Sequence, residues 1–164
     1  MTDHFTSDQI ETAPGLPLVP PNWEEQQRRR WELANEAFDA NRAVLFDALT
    51  AAGITEVVVE FDGEGDQGQI EGITAQDASG IVALPDARID VLTPAHDGSR
   101  MDRSVRTIGE AVETLCYALL SRHHGGWEIN DGSYGLFGFD VPKRTIELTH
   151  NERYIAVDTT EAMY

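Results

Sequence analysis

Asp62, Glu64 and Asp66 alternate with Gly63 and Gly65, and Glu60 and Glu71 flank them. The segment EFDGEGDQGQIEG (60–72) carries five carboxylates and four glycines without one basic side chain. Like charges this close repel one another, and ordering glycine costs extra backbone entropy. Something must offset both, and three chemistries fit. A hard divalent cation, Ca²⁺ or Mg²⁺, could sit on Asp62, Glu64 and Asp66, with the glycines turning carbonyls inward. Asp-x-Glu-x-Asp imitates the opening of a calcium loop, but the sixth position is Gln67 instead of glycine and the twelfth is Ile73 instead of glutamate. A basic protein surface could engage the same acids through charge-assisted hydrogen bonds. The third reading is a solvated hairpin tip whose charges deter edge-to-edge strand pairing.

A second polar segment is HHGGWEINDGSYG (123–135). Histidine at a helix C-terminus complements the dipole, and glycine there takes up positive φ. That accounts for His123, His124 and Gly125. It leaves Trp127, Glu128, Asn130 and Asp131, an aromatic ring followed by polar acceptors in a glycine-rich link, the composition of a surface that holds a ligand. Asn130-Asp131-Gly132 also reads as a tight turn.

An enzyme built from these parts would use His123 or His124 as base and the acids as metal ligands. No His-x-x-x-His or Gly-x-Ser-x-Gly spacing occurs. The acids of GEGDQG would repel phosphates, and no lysine follows them, so it is no phosphate cradle. Cys116, the single cysteine, lies among apolar residues and reads as a small core side chain. No catalytic residue is assigned.

The elements that position these segments can be read from composition and periodicity. The 164 residues suit one domain, large enough to bury roughly 70% of its unfolded surface without metals or disulfides. A net charge of −17 opposes direct nucleic-acid or anionic-lipid binding and favours basic partners or cations. The sequence shows no membrane span and no secretion signal, so a cytoplasmic location is expected. Residues 1–21, with four of the seven prolines, read as an extended, flexible arm. A long helix is predicted from Asn22 and Glu25, a capping-box pair, to Gly53. Its apolar stripe is Trp31, Ala34, Phe38, Leu45, Leu49 and Ala52. Residues 54–62 and 69–77 read as antiparallel strands. GIVAL and RIDVLTP read as a third strand broken at Pro85. A second helix spans 104–122, followed by strands in YGLFGFDV, RTIELTH and RYIAVDT. The expectation is an α+β domain over 22–164. A mostly antiparallel sheet of five to six strands carries two amphipathic helices on one face, in the order α-β-β-(β)-α-β-β-β.

EFDGEGDQGQIE and VETLCYALLSRHHGGWEINDGSYGLFGFDVPKRTIELTHNERY resemble a small bacterial domain family of unknown function, found mainly in proteobacteria and often on mobile elements. The resemblance covers roughly residues 30–158. It rests on Asp62, Gly63, Gly65, Asp66 and Gly68, and on His124, Gly125, Gly126, Trp127, Glu128, Asp131 and Gly132. It implies no activity, but it implies that the two polar segments belong together.

The expected function is therefore an acidic binding or accessory module that engages a basic protein. The turn and the link would meet at one edge of the sheet, in a site of Asp62, Glu64, Asp66, Glu71, Trp127, Glu128, Asn130 and Asp131. Trp127 would stack a partner guanidinium there. Two alternatives stand beside it: a divalent-metal-dependent hydrolase using the acidic turn, and a nucleic-acid mimic that occupies a DNA-binding protein. The mimic requires acids at roughly 6 to 7 Å intervals across a face, near the phosphate spacing of DNA.

Overall fold

A computed structural model describes residues 22–164; the arm expected over 1–21 lies outside them. The predicted α+β architecture holds. Helix α1 (Trp23–Ala51) leads into strands β1 (Ile54–Glu64), β2 (Gln67–Asp77), β3 (Gly80–Val82), β4 (Arg88–Pro94) and β5 (Met101–Thr107). Helix α2 (Ile108–His123) and strands β6 (Ser133–Asp140) and β7 (Thr145–Glu152) follow. Five strands form one antiparallel sheet in the order β3-β2-β1-β6-β7, and β4 and β5 form a separate hairpin.

Alternation along β1 decides which residues meet the helices. Val57, Val59 and Phe61 are buried, and Glu56, Glu60 and Glu64 are exposed. The inner row packs with Phe137 and Phe139 of β6, with Leu45, Phe46 and Leu49 of α1, and with Ile108, Val112, Leu115 and Leu120 of α2. Both helices thus cover one face. The buried row of α1 is Ala37, Asn41, Leu45, Phe46 and Leu49. It begins later than the predicted stripe: Trp31 is 64% exposed, because the first turns of α1 run past the core.

Asn41 is buried for a specific reason. Its amide donates to the Leu92 carbonyl at 2.9 Å and accepts from the Leu92 amide at 2.7 Å. It therefore acts like one residue of a strand and fixes α1 on β4.

Gly53 ends α1 with φ +75°, as expected. Asn22 makes no side-chain cap bond. The capping box lies instead on α2, where the Thr107 hydroxyl accepts from the Glu110 amide and the Glu110 carboxylate accepts from the Thr107 amide. The second helix therefore starts at Ile108, and Met101–Thr107, partly assigned to that helix from sequence, pairs with β4 as β5. GIVAL and RIDVLTP supply two strands in two different sheets. RYIAVDT forms none, because Arg153 turns away to bond other groups and Tyr154, Ile155 and Val157 are exposed. Among the described residues, no helix is long and apolar enough to cross a membrane.

Candidate functional site

The acidic turn and the tryptophan link are neighbours. Gly65 and Asp66 form the two-residue turn between β1 and β2, both with positive φ, +59° and +68°, the geometry that matches strand twist in a tight hairpin. The link bonds the backbone of that turn. The Gly65 amide donates to the Asn130 carbonyl at 3.1 Å, and the Asp66 amide to the Glu128 carbonyl at 3.0 Å. Asn130 also has positive φ, +60°.

Trp127 lies on the inner face of the hairpin tip. Gly63 and Gly68 pair across β1 and β2, and a Cβ on Gly63 would stand 2.6 Å from the Trp127 ring. The two glycines leave the gap that the indole fills. Its edge meets Phe61 at 5.5 Å between centroids, with the planes at 88°, and Tyr117 lies 6.5 Å away. The indole is half-buried and packed under the turn, so it closes the end of the core instead of forming an open floor for a guanidinium. The Ser133 hydroxyl holds the link from below by donating to the Trp127 carbonyl at 2.8 Å.

On the outer face, Arg153 grips Asp62. Its two terminal nitrogens donate to the two carboxylate oxygens at 2.9 Å each, and one also donates to the Gly63 carbonyl at 3.2 Å. The guanidinium stacks 4.7 Å from the Tyr134 ring centroid, and the Arg153 amide donates to the Gly132 carbonyl. The Arg153 hydrogen bonds hold the Asp62 carboxyl below the usual range, against a smaller opposing effect of burial. The chain thus supplies a cation of its own to the turn, through a residue that the sequence reading did not single out.

Glu64, Asp66 and Glu71 stay open. Asp62, Glu64 and Glu71 line one shallow depression of about 250 Å³ with Gln67 and Gln69. Gln69 and Glu71, two apart on β2, share one strand face, and the Gln69 amide donates to Glu71 at 2.9 Å. Asp66 stays exposed at the tip. Of the link residues, Asn130 is exposed and Asp131 half-buried. One carboxylate oxygen of Glu128 is buried without a hydrogen-bond partner.

Behind the link lies a second recess of about 310 Å³, lined by His124, Trp127, Asp131, His150, Glu152 and Arg153 among others. His124 sits at the C-cap of α2. His150 and Glu152, two apart on β7, share the inner face. The His124 and His150 rings stack 3.7 Å apart with 10° between planes, and Phe61 stacks on His150 at 6.1 Å. Gly135 makes that approach possible, since a Cβ there would stand 2.9 Å from the Phe61 ring. His150 Nε2 is buried without a partner. Burial first, and the His124 ring second, lower the His150 pKa, with Glu152 opposing. Sequence reasoning weighed His124 and missed His150 and Glu152. The signal available was the His-x-Glu alternation in THNE, which places two donors on one strand face.

The model of a family described as a family of unknown function, DUF6878, matches residues 37–164, against the roughly 30–158 expected. Neither a curated protein nor a solved structure matches the chain.

Proposed function

This chain belongs to DUF6878, a family of unknown function, so no activity is inherited, and we propose from the geometry that it is an acidic binding module whose open sheet face engages a basic protein surface. The carrying observation is the depression shared by Asp62, Glu64 and Glu71 and its continuation along the sheet. Glu56, Glu60, Asp62 and Glu64 lie on the outer side of the central strand β1. In register, Asp140 stands beside Glu56 on β6, and Glu147 extends the same face on β7. On the other side of the sheet the helices are packed; on this side, among the described residues, a Cβ on Gly138 would meet nothing within 4 Å. Tyr134 and Leu136, 46% and 41% exposed, supply apolar contact between the acids. A face with this charge steers cationic partners and rejects anionic ones.

Arg153 is part of this reading. It neutralises Asp62 and leaves Glu56, Glu60, Glu64, Glu71 and Glu147 for the partner. A cytoplasmic setting suits such a module.

The nucleic-acid mimic is the second reading, favoured by one observation. Alternate residues of a strand repeat every ~6.6 Å, so Glu60, Asp62 and Glu64 set carboxylates at nearly the phosphate spacing of a DNA strand, the middle one shared with Arg153. The partner's basic surface would then be one that otherwise holds a phosphate backbone. A bacterial, mobile-element setting accords with it. The hydrolase reading gains less, because the Asp62 carboxylate is already committed to Arg153.

The test is calorimetric titration with an oligoarginine peptide, comparing two variants of equal charge. Glu56→Gln/Glu60→Gln/Glu64→Gln/Glu147→Gln should weaken binding roughly tenfold or more. Glu24→Gln/Glu25→Gln/Glu32→Gln/Glu36→Gln, which removes four acids from α1, should change it little. Equal losses in the two would mean that net charge alone attracts the peptide and would overturn the assignment. Release of a bound nonspecific DNA-binding protein by added duplex DNA would select the mimic.

A further inference from the structure

We propose that His124, His150 and Glu152 form a binding site for a borderline transition-metal ion of the Zn²⁺ class, on the face of the sheet opposite the acidic surface. One ligand atom from each lies within 4.8 Å of the other two. On a tetrahedral ion with bonds near 2.1 Å, ligand atoms stand about 3.4 Å apart, so the gathering is short of a closed site by roughly an ångström. Two imidazoles and a carboxylate are the donors that zinc takes, whereas Ca²⁺ and Mg²⁺ prefer all-oxygen cages. The acidic turn, where a hard cation was one of three chemistries that fit, is a different place and a different donor set.

Three further observations converge on these residues. His150 Nε2 is buried with no hydrogen-bond partner, which is costly for a polar atom unless something else satisfies it. The cluster opens into the 310 Å³ recess, which leaves room for water or a small ligand at a fourth position. Three protein ligands and an open position is the pattern of metal sites that act on a ligand, as opposed to sites that only brace a fold. Arg153 also lines the recess, but its charge is balanced by Asp62 at 2.9 Å, so it does not bar a cation.

The backbone supports are rigid. His150 and Glu152 are paired in register with Gly135 and Ser133 of β6. His124 is held by its amide on Leu120 and by its carbonyl, which accepts from Trp127. One side chain has to move. As the rings stand, stacked at 10°, their in-plane lone pairs run side by side and do not converge. His150 is wedged between Phe61 and His124, so the His124 ring is the one that turns about its side-chain torsions to meet the ion.

The experiment uses untagged, chelator-treated full-length protein. Zn²⁺ is titrated in competition with a chromophoric chelator, and Co²⁺ binding is followed by its visible absorption. The wild type should take up one ion per chain, and Co²⁺ should give the intense bands of a tetrahedral nitrogen-oxygen site. His124→Gln and Glu152→Gln should each weaken binding by at least the roughly 10- to 100-fold that loss of a supporting group alone costs. Glu152 is exposed, so its variant is expected to fold, and circular dichroism checks both. His96→Gln and His123→Gln should bind like the wild type. So should the four-glutamate sheet-face variant, which separates this proposal from the basic-partner reading. No saturable uptake, undiminished uptake in both ligand variants, losses in the His96 or His123 controls, or weak octahedral Co²⁺ bands would each overturn the site.

Discussion

Asp62 shows how a side chain read correctly as charged can find a partner within its own chain. It was expected to face a partner or a cation. It faces Arg153, which approaches in the bidentate geometry that matches guanidinium to carboxylate. The consequence is a measurable acid limb. The Asp62 pKa is held below its ordinary 3.8 in the fold. A carboxyl with a depressed folded pKa contributes stability that is full above its unfolded value and is lost as pH falls through the folded one. Stability should therefore decline below pH 3.8, and Asp62→Asn should flatten that part of the decline. Denaturant unfolding at pH 5 and pH 3 in both proteins checks it; parallel curves would show that the pair contributes nothing. The link between Asp62 and Arg153 spans 91 positions, and nothing in the local pattern of either residue announces it.

At the scale of elements, helix α2 holds by local chemistry that is fully written in its sequence. Thr107 and Glu110 close a capping box, and Ile108, Val112, Leu115 and Leu120 supply the buried side. Thr107→Ala should cost about 1 kcal/mol, read as a lower denaturant midpoint with an unchanged slope. No loss would mean that packing alone sets the helix start. Thr107 was legible as a cap, yet the sequence reading began the helix at 104, because Val105 fits the same three-four spacing. Val105 is 58% exposed on β5; a helical period of apolar residues also occurs by chance across a strand-to-helix junction. Asn41 is the opposite case. Its polar side chain on a buried face gives no periodic signal, and its role exists only because the Leu92 backbone comes to meet it.

At the scale of the whole molecule, two helices on one face leave the two sides of the sheet with different chemistry. The inner side is dry enough to push the Cys116 thiol well above its ordinary pKa, burial being the larger cause and Glu113 the smaller. A thiol that stays protonated and shielded is unreactive. Cys116 should therefore resist iodoacetamide in the native state and be alkylated fully in denaturant; rapid native labelling would mean that α2 opens readily. The outer side carries the acids, and the histidine recess sits at the end of the inner side, behind the link.

The sequence by itself determined the class of fold, the two helices, the central hairpin and its acidic outer row. These depend on periods of two and 3.6 residues and on turn chemistry, which are local properties of the chain. It also pointed to the acidic turn and the tryptophan link as partners. Tertiary structure alone decided how they meet: Trp127 under Gly63 and Gly68, Asp62 closed by Arg153, and His124 brought onto His150 and Glu152. Those contacts join residues from 26 to 91 positions apart. Their strength depends on burial and direction, which a chain acquires only when distant segments are packed against one another.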